Sequence, residues 1–149
     1  MLQVISLIRK LHPNTVIIVD DYDYYYLYAR DIYIVYYLLE FSVKKYKGNL
    51  FMKDNIQYLN YLISKLRQVH INYLVVVKRW GYNVDIREDF LDNSYLKYFQ
   101  KGKLVFKRKK QIDGIYSKLR KNILGNQNKI MKIKEFIDSY TRSMIKLKV

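Results

Sequence analysis

No cysteine occurs anywhere in the 149 residues, so neither a disulfide framework nor a thiolate zinc site can be built, which suits a reducing compartment. The five glycines never fall in the G-x-x-x-x-G-K-[ST] order, which excludes the phosphate loop of ATPases. No apolar run is long enough to cross a bilayer, because the most aromatic stretch, Tyr22 to Val43, is interrupted by Asp23, Arg30, Asp31 and Glu40. The opening MLQVISLIRKLHPN has neither the basic start nor the small-residue cleavage site of a signal peptide. A soluble, cytoplasmic protein without a membrane partner is the expectation. Catalytic signals are equally sparse. His12 and His70 stand without a visible nucleophile or carboxylate partner, and no nucleophile elbow occurs. Neither enzyme activity nor a cofactor is expected.

Half the residues are apolar or aromatic, enough for a sizeable core, and there is no case for global disorder. The net charge of +15 is unevenly placed. Residues 1–100 carry 13 Lys/Arg against 10 Asp/Glu, whereas residues 101–149 carry 15 against 3. The block KGKLVFKRKK supplies Lys101, Lys103, Lys107, Arg108, Lys109 and Lys110, and Lys118, Arg120 and Lys121 follow. Such a surface neutralises phosphates and releases their counterions, which points to nucleic acid as partner. A solvated lysine-rich helix face is the common alternative.

The chain reads as alternating elements. Thr15 to Val19 (TVIIV) and Tyr73 to Lys78 (YLVVVK) are short β-branched runs that predict buried strands. Ala29 to Glu40 spaces Ile32, Val35, Tyr36 and Leu39 at helical intervals. FSVKK and NLFMK predict two short strands around a turn built on Gly48. Asp54 and Gln57 approximate a capping box, and Ile56, Leu59, Leu62, Ile63, Leu66 and Val69 draw one apolar helix face. YNVDIRE and KLVFKRK are candidate outer strands, and two helical patterns, Ile112 to Leu124 and Lys129 to Leu147, are split by the breaker GNQN. This order predicts an α/β domain over 1–108, a mixed β-sheet flanked by helices, followed by a basic helical tail over 109–149.

The densest feature is DDYDYYYLYARD, with its aspartates and its tyrosine run. Asp20 and Asp21 resemble paired metal carboxylates, but a strand-end turn or helix cap explains them, and no metal is assigned. Most of the 17 tyrosines are expected to pack, at helical positions such as Tyr36, Tyr58 and Tyr61. Alternation along a strand puts Tyr24 and Tyr26 on one face and Tyr25 on the other, toward the core.

From His12 the chain reads HPNTVIIVDDYDYYYLYARDIYIVYYLLEFSV, which resembles the N-terminal, mismatch-reading domain of MutS proteins. There HP leads into a strand, then an Asp-Phe-Tyr-Glu-Leu-Phe-type segment, then a helix opened by an acidic residue. On that register Asp23 to Tyr28 stand in the segment and Asp31 begins the helix. NLFMKDNIQYLNYLISKLRQVHINYLVVVK is similar to the family's next strand, helix and strand, and KLVFKRK takes the place of its last strand.

The resemblance implies that Tyr24 holds the place of the phenylalanine that stacks on a mispaired base, a role a phenol can keep. Three departures accompany it. Tyr22 replaces a glycine, the Pro/Gly-rich segment before the main helix is missing, and Tyr26 replaces the glutamate that hydrogen-bonds the base. Isolated domains of this type accompany the reverse transcriptases of diversity-generating retroelements. The segment Ile137 to Arg142 (IDSYTR) resembles a motif in the C-terminal helical part of those enzymes. The expected function is therefore a non-enzymatic, nucleic-acid-binding accessory protein of a reverse transcriptase, acting on template RNA, cDNA or hybrid DNA–RNA. The alternative is a protein–protein interaction subunit that docks through its basic tail and tyrosines.

Overall fold

The computed structural model describes residues 2–122 and 127–147. They form an α/β structure with a six-stranded mixed sheet and five helices. In chain order these are α1 (Leu2–Leu11), β1 (Val16–Asp21), β2 (Tyr24–Tyr28), α2 (Asp31–Leu39), β3 (Lys44–Tyr46) and β4 (Asn49–Asn55). Then follow α3 (Leu59–Gln68), β5 (Tyr73–Val77), β6 (Asn83–Glu88), α4 (Tyr95–Asn122) and α5 (Gln127–Leu147). The strand order is β3-β4-β2-β1-β5-β6. Only β1 and β5 pair in parallel, with Val16 opposite Tyr73, and every other neighbour is antiparallel.

Alternation assigns each strand residue to one of two cores. Val16, Ile18, Tyr25, Leu27, Met52, Tyr73 and Val75 meet the apolar faces of α2 and α3 together with Tyr95 at the start of α4. Ile17, Val19, Tyr28, Leu74 and Val76 face the other way, onto Ile5 and Ile8 of α1. The uninterrupted apolar runs of β1 and β5 follow from this, since both strands are covered on both faces. At the entry to α3 the cap is Asn55, whose side chain accepts from the Gln57 amide at 3.0 Å, one residue later than the expected box. Tyr58 and Tyr61, expected in the core, are exposed. Tyr58 belongs to a 3₁₀ turn ahead of the helical register, and Tyr61 lies on the side of α3 opposite Leu62 and Leu66.

A buried carboxylate ties four elements together. Asp31, 1% exposed, accepts from the Arg9 guanidinium of α1, from the Ile17 amide of β1 at 2.9 Å and from the Tyr95 hydroxyl of α4 at 2.6 Å. Burial pushes its carboxyl up from the ordinary aspartate value, while Arg9, Tyr95 and the Ile17 amide pull the other way.

KLVFKRK is helix, not the outer strand expected of it. Tyr95, Tyr98, Phe99, Gly102 and Val105 continue one helical stripe through it, and lysine, arginine and leucine are sound helix formers. The Asn93 side chain caps this helix by accepting from the Tyr95 amide at 3.1 Å. The outer strand after β5 is β6 alone. The chain groups into two compact units, Met1–Gly102 and Lys103–Val149, so the division falls inside α4, upstream of residue 108. Within the second unit, the Tyr116 hydroxyl of α4 donates to the Lys134 carbonyl and approaches Asp138 Oδ1 at 3.1 Å, fastening α4 to α5. Of the expected breaker GNQN, Gly125 and Asn126 lie outside the described residues, while Gln127 and Asn128 open α5.

Gly102 marks the place where α4 crosses α2. A Cβ there would stand 1.9 Å from the Tyr33 carbonyl oxygen, whereas one at Gly114 of the same helix would meet nothing within 4 Å. Glycine to alanine in an open helix stabilises by about 0.5–1 kcal/mol. Gly114→Ala is expected to do so. Gly102→Ala reverses the sign, costing about 1–3 kcal/mol, because backbone must move. Thermal melts of the two variants check this, and equal shifts would disprove the close crossing.

Candidate nucleic-acid interface

The tyrosine strand β2 is placed by its register. Tyr24, Tyr25 and Tyr26 pair with Asp21, Asp20 and Val19 of β1 on one side and with Asn55, Asp54 and Lys53 of β4 on the other. Tyr25 points into the core, fully buried, with its hydroxyl 3.3 Å from Asp54 Oδ2. Burial and then the Asp54 charge raise its pKa. Tyr24, Tyr26 and Tyr28 share the opposite face, as the alternation requires.

On that face exposure falls along the strand, from Tyr24 at 40% to Tyr28 at 5%. The Lys53 ammonium stands 3.6 Å from the Tyr24 ring centroid and 5.7 Å from that of Tyr26. The Tyr26 and Tyr28 rings are parallel, 8° apart in plane, with centroids separated by 6.2 Å. Beside them a groove of about 450 Å³ opens between the first turn of α1 and strands β2 to β4, lined by Leu2, Gln3, Tyr26, Tyr28, Tyr46 and Phe51. Chemically this is an aromatic cluster with an ammonium over one face of its most exposed ring, Tyr24. Lys53 escaped the sequence reading. Its signal was the alternation of β4, where Met52 points inward and Phe51 and Lys53 share the face of Tyr24.

The basic residues separate into distinct positions. Lys101, in the first unit, is half-buried, with its ammonium 5.8 Å from the Tyr37 ring and 5.7 Å from that of Tyr98. In the second unit, Lys103, Lys107, Lys110, Lys118 and Lys121 are all exposed. At about 100° per residue they fall within one stripe roughly 80° wide and about 27 Å long. Lys109, Arg108 and Arg120 lie off it. Lys109 approaches Asp113 at 3.6 Å, and Arg108 is half-buried with Nη1 lacking a hydrogen-bond partner. Lys110 also stands over Phe106, 5.2 Å from its centroid.

The acidic cluster is built into the sheet. Asp20 and Asp21 are the last two residues of β1 rather than turn or cap residues, and Asp21 pairs with Lys78 at 2.5 Å. Among the described residues no group of three or more His, Asp or Glu converges as metal ligands would. His70 does have a carboxylate partner, contrary to the sequence reading. Its Nδ1 lies 2.7 Å from Asp92 Oδ2, its ring stacks on Phe90 at 5.2 Å, and the contact lowers the Asp92 pKa. Asp92 is 22 residues away in sequence, which hid the pairing. Both side chains are largely exposed, so the pair is a surface contact between the end of α3 and the loop before α4.

No helix among the described residues is long and apolar enough to cross a membrane. No protein-family model matches the chain, and no curated protein is significantly similar to it.

Proposed function

We propose that this chain is a non-enzymatic nucleic-acid-binding accessory domain, similar in fold to the first domain of MutS proteins, that serves a reverse transcriptase by holding template RNA, cDNA or their hybrid. The observation that carries the reading is Tyr24. It is a large ring left 40% exposed at the end of a strand whose next residue is fully buried, with the Lys53 ammonium 3.6 Å from its centroid. Exposed aromatic rings set among cations are how single strands are held without regard to sequence. The lysine stripe of α4 supports the same reading from the second unit, because aligned ammonium groups follow a phosphate backbone. The order of elements supports the family likeness, with β6 now in the place first given to KLVFKRK.

With Tyr26 in place of a carboxylate, this face stacks on bases and lacks the anionic acceptor by which the family it resembles reads a mispair. For the reverse transcriptase, the resemblance of Ile137 to Arg142 is joined by Phe136 and Tyr140 of α5, exposed one turn apart, a feature that a protein partner covers. The same pair of rings favours the second reading, an interaction subunit that touches no nucleic acid.

Titration of a labelled single strand, a duplex and an RNA–DNA hybrid decides between them. Tyr24→Ala is expected to cost about 1–3 kcal/mol of binding while Tyr24→Phe costs nothing. Equal affinities for wild type and Tyr24→Ala would remove the platform. Binding of no nucleic acid, with co-purification of a protein partner, would establish the second reading.

A further inference from the structure

The two-residue turn between β1 and β2 holds one of the six non-glycine residues with positive φ among the described residues. Tyr22, its first residue, has φ of 62°, and Asp23 after it is not in the left-handed region. In hairpin turns of this length that position is given to glycine, because a Cβ there is crowded by backbone. Tyr22 is also 63% exposed, so no burial of its ring offsets the strain. A large exposed ring thus stands where a glycine would relieve the backbone.

The neighbouring strand connection supplies two more groups. After β5 a 3₁₀ turn, Lys78–Trp80, closes on Gly81 with φ of 71° and leaves Trp80 51% exposed. The Arg79 guanidinium lies 5.5 Å from the Tyr22 ring centroid and 5.4 Å from that of Trp80. The two connections are held side by side by the parallel pairing of Asp20 with Val77 and by the Lys78–Asp21 ion pair at 2.5 Å. Two exposed rings from separate loops thus share one exposed guanidinium.

We propose that Tyr22, Arg79 and Trp80 form a stacking tip for an unpaired nucleobase, a site separate from the Tyr24 platform. The proposal rests on the nucleic-acid reading above and narrows it to strands with unpaired bases. Rings with few rotatable bonds and a planar guanidinium offer flat faces to a base at low entropic cost. Charge argues for a base rather than a phosphate. Lys78 is neutralised by Asp21, and the exposed Asp23 carboxylate adjoins Tyr22, so the tip as a whole is not an anion site. Every base has a π-face, so the tip accepts DNA or RNA.

Trp80 is the chain's single tryptophan, and its emission reports on the tip directly. The full chain is titrated with an oligodeoxynucleotide, an oligoribonucleotide of the same sequence and a blunt duplex, following both Trp80 emission and the anisotropy of a labelled strand. Quenching by single strands that saturates with the anisotropy change is expected, with little quenching by the duplex; the two single-strand arms separate DNA from RNA. Tyr22→Gly is expected to raise the thermal midpoint and to weaken single-strand binding about tenfold, while Tyr22→Phe binds as wild type does. Strands that bind while Trp80 emission stays constant and Tyr22→Gly matches wild type overturn the tip and leave the nucleic-acid reading standing. Quenching by duplex equal to that by single strand overturns the preference for unpaired bases. If no strand binds at all, both readings fall together.

Discussion

Replacing Lys103, Lys107, Lys110, Lys118 and Lys121 by glutamine is expected to lower nucleic-acid affinity by on the order of 10³-fold at low salt, with little change in helicity. Each phosphate that a lysine neutralises contributes about 0.9 to the slope of log K against log salt on duplex DNA and about 0.7 on a single strand. Five contacts therefore flatten the slope by about 4.5 on duplex. Glutamine is chosen because its helix propensity is close to that of lysine, so α4 keeps its geometry while the stripe loses its charge. The comparison that matters is with Arg108, Lys109 and Arg120, which lie off the stripe. Changing those three removes three positive charges against five and is expected to flatten the slope by less per charge removed. A slope unaltered by the five-lysine change, measured across a salt series with circular dichroism as the check on folding, would show that α4 does not meet phosphates.

Asp31→Ala is expected to destabilise the first unit by about 3–5 kcal/mol, the range for removing one partner of a buried charge pair. The loss is not that of one salt bridge. Removing the carboxylate leaves the half-buried Arg9 guanidinium and the fully buried Ile17 amide and Tyr95 hydroxyl without their acceptor. Asp31→Asn keeps one oxygen acceptor and is expected to lose less. Urea unfolding of both variants measures the difference, and a loss below about 1 kcal/mol for the alanine would show that the four elements are held by their apolar faces alone.

The strands were legible where local pattern and tertiary environment agreed. β1 and β5 declared themselves as β-branched runs because burial on both faces permits nothing else, and the alternation of Tyr24, Tyr25 and Tyr26 follows from the pleat. α3 was visible through Leu59, Leu62, Ile63 and Leu66, which form its buried face. The helical state of Lys103 to Lys109 within α4 was hidden because a seven-residue window of apolar and basic residues satisfies both periods. Only the longer stripe from Tyr95 to Val105 separates them. Long-range pairings were out of reach. Nothing near Asp31 announces that Arg9 and Tyr95 converge on it, and Lys53 beside Tyr24, like Arg79 beside Tyr22, depends on which strands become neighbours.

The parallel pairing of β1 with β5 also governs how the chain comes to be folded. Val16 waits for Tyr73, across a loop of more than fifty residues, whereas β2 closes on β1 through a two-residue turn. Closing a long loop must precede the reward of the contact, so assembly of the sheet is the slow step, and the hairpin of α4 and α5, with its near-neighbour contacts, sets more quickly. During synthesis one edge of β1, flanked on both faces by isoleucine and valine, stands uncovered until Val77 has left the ribosome. That nascent edge is where this protein is most exposed to pairing with another copy of itself.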